Sequence, residues 1–215
     1  MKDIPVARGR RHILELVAQG EHERQDFKFL ISDARKIARS ISAFANHSGG
    51  CLLIGVKDNG TVAGVRNEED IYVVEQAAER YCVPPQQVRF EAYSVDTGIT
   101  VIKALIDKAV KRPVAVSEAD GRKRVYYRVC DENIAAPDIM VRAWTEAEKN
   151  GTFLAVSETG SKAMELLATR SLSTRELALE LHCSLSCAED LVVRLAAAGI
   201  ADFTYEHGEF RIICP

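Results

Sequence analysis

The sequence predicts a mixed α/β domain followed by a smaller, mostly helical one. Three observations carry this. A continuous apolar run, Cys51–Val56, is bounded by Gly49-Gly50 and by Asp58-Asn59-Gly60, the pattern of a buried strand between breakers. Just before it, Ala34, Ile37, Ala38, Ile41, Phe44 and Ala45 recur at helical spacing. Finally, the charge shifts along the chain: residues 1–150 carry 23 basic and 22 acidic side chains, whereas residues 151–215 carry 5 and 9.

Element by element, Ile13, Leu14, Leu16 and Val17 give residues 6–19 an apolar helical stripe that Gly20 ends. Residues 24–30 read as a short strand, and Ser32 is the expected cap of the following helix. The turn Asp58-Asn59-Gly60 should return the chain as a strand over Thr61–Val65. A helix is expected over residues 68–82. Strands Val88–Val95 and Ile99–Ile106 turn near Thr97-Gly98, and a hairpin from Val114 to Val129 turns at Asp120-Gly121. Asp138 opens a last helix of the first part, running to about Lys149. This mixture is α+β in character and not a regular βαβ array.

Asn150-Gly151 opens a linker over residues 151–160, which separates a first domain (1–150) from a second (161–215). The second reads helix, helix, helix, hairpin. Ser173-Thr174-Arg175-Glu176 forms a capping box, His182-Cys183-Ser184 a turn, Leu185–Ala198 the third helix, and His207-Gly208 the hairpin turn. That is the element order of a winged helix-turn-helix.

Composition narrows the function classes. The chain has 215 residues, 27% of them charged, and a net charge of −3. It holds no apolar run long enough for a membrane span and no apolar leader after Met1, so a cytoplasmic protein with no membrane partner is expected. None of the six cysteines forms a CxxC pair, and no zinc-ligand spacing occurs. No GxxxxGK[ST] loop exists, which argues against ATP hydrolysis. The first part is the more basic, so any phosphate-binding surface is expected there.

The stretch GEHERQDFKF…ARSISAFANHSGGCLLIGVKDNGTVAGV resembles the Schlafen/AlbA-2 family. The matching residues are Glu21, Asp26-Phe27-Lys28, Ala43 to Gly50, Leu53 to Gly60 and Gly64-Val65. Lys111-Arg112-Pro113 and Tyr126-Tyr127-Arg128-Val129 fit later elements of the same pattern. The likeness covers about residues 14–150, and Asp26 stands where the family usually has Glu. The expected architecture is therefore an AlbA-2/Schlafen-like α/β (mixed α+β) domain followed by a small winged-helix domain.

The resemblance implies nucleic acid, DNA or RNA, as partner, with a role in transcription regulation. Its nucleolytic members imply a rival: a metal-dependent ribonuclease in which Glu21, Asp26 and Asp58 converge on Mg²⁺ or Mn²⁺, with Lys28 beside them. Three carboxylates can hold one divalent cation, and such a cation can activate water against a phosphodiester. For binding, the candidates are Lys28, Asn46, Lys111, Arg112, Arg122, Lys123, Arg124 and Arg128, with Tyr126 and Tyr127 among them for stacking. Gly49-Gly50 could admit a phosphate to backbone N–H groups, or could simply end the helix. The acidic second domain, whose third helix offers Glu189 and Asp190, is a poor phosphate binder and is expected to associate as a homodimer.

Overall fold

A computed structural model of the chain describes residues 4–65, 69–149 and 157–215. It divides into two compact units: residues 1–110 with 114–135, and residues 111–113 with 136–215.

The first unit is built on a five-stranded sheet of order β1-β5-β6-β3-β2. Its strands are β1 (Val6–Arg8), β2 (Gln25–Lys28), β3 (Gly50–Ile54), β5 (Val88–Asp96) and β6 (Ile99–Ile106). β1 runs parallel to β5, and β2 parallel to β3, while β3/β6 and β5/β6 are antiparallel. A second sheet orders β4 (Cys82–Val83), β7 (Ala115–Ser117), β8 (Lys123–Val129) and β9 (Glu132–Ala135) as β4-β7-β8-β9.

Between the two sheets lies α2 (Ala34–Asn46), which explains its composition. Ile37, Ala38, Ile41, Ala43, Phe44 and Ala45 are all buried in one cluster with Leu52 and Ile54 of β3, Ile102 and Ala104 of β6, and Val116 and Tyr126 of the second sheet. A helix apolar all round is one surrounded by protein. α1 (Arg10–Ala18) covers the other face of the five-stranded sheet, placing Ile13 against Phe27, Leu53, Val56 and Val101.

Several boundaries differ from the sequence expectation. Asp33, not Ser32, caps α2, accepting from the Arg35 and Lys36 amides. An Asp carboxylate is the stronger acceptor at a helix N-terminus. Thr61–Val65 makes only an isolated bridge, Val56 to Val62, instead of a strand. The helix expected over 68–82 is α3 (Glu69–Gln76) continued by a π-helical turn, Ala77–Tyr81.

The second unit contains α4 (Asp138–Lys149), α5 (Glu158–Thr169), α6 (Thr174–Glu180), α7 (Leu185–Ala197) and the hairpin β10 (Asp202–Glu206) and β11 (Glu209–Ile213). The expected capping box is formed: Ser173 Oγ accepts from the Glu176 amide, and the Glu176 carboxylate accepts from the Ser173 amide. Of the linker expected over 151–160, residues 151–156 lie outside the described residues, and Ser157 caps α5. α7 buries Leu191, Val192 and Leu195 and also Val193, so it is covered on more than one side. α4 packs along it, with Arg142 reaching Asp190 at 2.5 Å and Glu189 at 3.6 Å. Among the described residues no helix is long and apolar enough to cross a membrane.

Candidate functional site

The carboxylate cluster comes first. Asp26 of β2 is buried, and its side chain lies on the α2 face of the sheet because Phe27 takes the α1 face. Lys28 sits two residues on and ion-pairs with Asp26 at 2.6 Å. From the second sheet, Arg128 brings its guanidinium to 3.4 Å from the other Asp26 oxygen. Glu21 joins them: its Oε1 accepts from the Phe27 amide at 2.8 Å. Burial, then the hydrogen bond that the protonated Glu21 carboxyl donates to Asp26, holds Glu21 above its usual pKa.

Asp58 is not part of this group. The parallel register sets Asp26 opposite Leu52, and strand β3 ends at Ile54. Asp58 therefore falls beyond the strand, exposed in the tight turn that Lys57 and Gly60 close. Among the described residues no three His, Cys, Asp or Glu side chains gather as a metal-holding set. Both Asp26 oxygens already face cations, so the residues present do not fit the three-carboxylate Mg²⁺ or Mn²⁺ site expected from the sequence.

Apart from Lys28, which is paired with Asp26, the expected phosphate contacts separate into three groups. Arg122, Lys123 and Arg124 are exposed on the β7–β8 hairpin, with Arg124 paired to Asp120 at 3.3 Å. Lys111 is exposed in the second unit, while the Arg112 guanidinium stacks 5.0 Å over the Trp144 ring. Arg128 and Asn46 are buried, which corrects their assignment as phosphate contacts. Arg128 is 1% exposed. It donates to the carbonyls of His22 and Gln25 and to Asn133 Oδ1, and lies 5.0 Å over the Phe44 ring. A guanidinium so satisfied has no face left for a phosphate.

Beside the hairpin, Glu118 is gripped by Arg39 of α2 at 2.8 and 2.7 Å and by the Tyr126 hydroxyl at 2.5 Å. The bidentate pair holds the Glu118 carboxyl below its usual range, and burial, aided by the bond to Glu118, pushes the Tyr126 phenol up to about 12. This clamp locks the hairpin onto α2.

The family profile described as Schlafen, AlbA_2 matches residues 21–137, more than half of the chain. The chain belongs to the Schlafen AlbA_2 family. Among solved structures, this AlbA_2 chain is similar to the DIP2311 protein of Corynebacterium diphtheriae. Identity is 19% and the TM-score 0.45, over 73% of this chain and 32% of that one. It is also similar to the N-terminal domain of a RecG-related protein from Nitrosomonas europaea, at 18% identity and a TM-score of 0.43, over 61% of this chain and 92% of that one. The chain thus spans about a third of the length of the first. No curated protein matches.

In this AlbA_2 domain the stretch Ala43 to Gly50 closes the core. Asn46 Nδ2 donates to the carbonyls of Val114 and Tyr126, both at 2.9 Å, and Asn46 Oδ1 accepts from the Val114 amide at 2.8 Å. Ser42 Oγ donates to the Val114 carbonyl at 2.7 Å. These side chains replace a missing strand neighbour and sew α2 to the second sheet. Gly49, at φ +73°, passes so close to β6 that a Cβ would stand 2.8 Å from the Ile106 carbonyl oxygen.

Three cations escaped the sequence analysis: Arg24, Arg89 and Lys103. The last two are charged positions inside apolar strands and alternate with core residues, and that alternation was the available signal.

Proposed function

We propose that this AlbA_2 chain binds nucleic acid through its first unit, in a regulatory role, with the β7–β8 hairpin laying cations along the phosphates. The observation that carries it is the consecutive exposure of Arg122, Lys123 and Arg124 on a hairpin that the Arg39–Glu118–Tyr126 clamp ties to α2. A backbone anchored in this way has less entropy to lose on meeting a phosphate. Lys36, exposed on α2, adds charge in the same unit. A binder of this kind releases counterions, so affinity falls with salt.

The test is binding of a fluorescent oligonucleotide across a KCl series. Replacing Arg122, Lys123 and Arg124 with Ala should weaken binding at least tenfold and reduce the salt slope by about 2.7, three lost phosphate contacts at about 0.9 each. Unchanged affinity in the triple variant removes the hairpin from the interface. The ribonuclease alternative loses support because Asp58 stands apart from Glu21 and Asp26. Cleavage of structured RNA with manganese that Asp26→Asn abolishes would restore it.

For the second unit we adopt the winged-helix order as the working description, with association as its role. The support is local: α7, the helix that would enter a groove, carries Glu189 and Asp190, and α4 covers it through Arg142. A homodimer is the simplest outcome. Light scattering of the full chain at micromolar concentration should give twice the 23.7 kDa chain mass. A monomer at every concentration rejects the assignment.

A further inference from the structure

α1 is nine residues long and covers only part of its sheet face. Where it stops, a groove of about 420 Å³ opens on the same side of the five-stranded sheet. Leu16, Cys51 and Leu105 give it an apolar floor. One wall is the exit of α2, Ser48-Gly49-Gly50, pressed against the end of β6. Arg24, Arg89, Lys103 and Lys108 line it, with His22 at the rim and Asp107 as its one carboxylate.

The ion pairing inside the groove is uneven. Arg89 pairs with Asp107 at 2.8 Å, and Lys103 lies 3.8 Å from Glu91. Arg24 and Lys108 are exposed and have no ion-pair partner among the described residues. The groove thus presents two uncommitted cations above an apolar floor, in a volume within the range of small-ligand sites. An apolar floor with cations at its edge suits a base and its phosphate together.

We infer that this groove is a second phosphate-binding site, distinct from the hairpin, that takes one nucleotide unit of a nucleic-acid strand. The phosphate meets Arg24 and Lys108, and the base covers Cys51 and Leu105. The choice of a strand over a free nucleotide rests on the nucleic-acid reading above. The phosphoryl chemistry of the site does not.

The full chain is titrated with a fluorescent single-stranded 12-mer over a KCl series, as wild type and as the double variant Arg24→Glu/Lys108→Glu. Both side chains are exposed, and an amide NMR spectrum checks the fold. Arg24→Ala/Lys108→Ala serves as a milder second variant. The expected result is at least a tenfold loss of affinity for the charge reversal, and for the Ala pair a salt slope smaller by about 1.4, two lost contacts at about 0.7 each on a single strand. A wild-type affinity and slope in both variants, while the hairpin variant loses binding, overturn the groove and leave the hairpin.

A nucleoside 5′-monophosphate is the second probe, followed by the amide signals of Gly49, Gly50 and Lys108. Shifts there that vanish in the double variant, with oligonucleotide binding also impaired, support the proposal. The same shifts with oligonucleotide binding untouched overturn the strand assignment in favour of a free nucleotide. If the wild type binds no oligonucleotide, the nucleic-acid reading fails. The site then survives as a phosphoryl site if the amides shift, and is overturned if they do not.

Discussion

The Arg128 guanidinium stands 3.4 Å from the Asp26 carboxylate, joining β8 of one sheet to β2 of the other, with 1% and 6% of the two side chains exposed. Both are charged groups that water has left, so each depends on the other for compensation. Arg128 therefore belongs to the architecture of the domain and not to its surface.

Arg128→Met should accordingly destabilise the chain by about 3 kcal/mol, because it strands Asp26 with Lys28 as its only cation. Arg128→Lys should recover little, since one ammonium cannot reach the several acceptors that the guanidinium fork serves. Urea unfolding measures both. The folded fraction should keep the wild-type salt slope for nucleic acid, and a reduced slope would return Arg128 to the interface.

Asn46→Ala should cost on the order of 3 kcal/mol, because it leaves the Val114 amide and the Tyr126 carbonyl short of a partner in the buried core, while the Val114 carbonyl keeps only Ser42 Oγ of its two side-chain donors. Asn46→Asp should be no better, since a carboxylate cannot donate to the two carbonyls. A fall in the urea midpoint of less than a few tenths molar would show that water replaces the amide.

Glu21 gives a pH test with a definite sign. Its folded pKa lies above 4.5, so the folded state holds the proton more tightly than the unfolded chain does. Its contribution is fully present below 4.5 and is lost as pH rises through the folded value. Stability measured from pH 4 to 7 (a range chosen to bracket carboxylate titration) should therefore decline relative to Glu21→Gln, which has no proton to lose. Parallel curves would mean that burial and Asp26 together do not raise the Glu21 pKa.

At the alkaline end, Tyr126 is held up to about 12 by burial and by its bond to Glu118. The folded state again keeps the proton longer, so this contribution is intact below 10 and is lost as pH rises towards about 12. Phenolate absorbance should show one tyrosine titrating late, a component that Tyr126→Phe removes. The Phe variant should lose about 1 kcal/mol at neutral pH, the net worth of one hydrogen bond.

Much of the first unit was legible residue by residue. The run Cys51–Ile54 is a buried strand and the stripe from Ile37 to Ala45 a buried helix; in the second unit the Ser173–Glu176 box is a helix start. The family motif around Ala43–Gly50 was legible too, but its meaning was not. Asn46 looked like a polar helix exit open to phosphate, whereas it is the buried link between α2 and the second sheet.

What the sequence by itself determined is local: the periodicities, caps, glycine turns and charge division that specify which elements form, and that make the β7–β8 hairpin basic. Only the tertiary structure decided which charges face water. Arg124 and Arg128 stand four residues apart on one strand, yet one is exposed and the other buried, because β9 and β2 enclose one end of β8 and leave the other open. The same holds for the carboxylates, since the register of β2 against β3 separates Asp58 from Asp26. Strand pairing joins residues distant in the chain, and no local pattern encodes the level at which two strands meet.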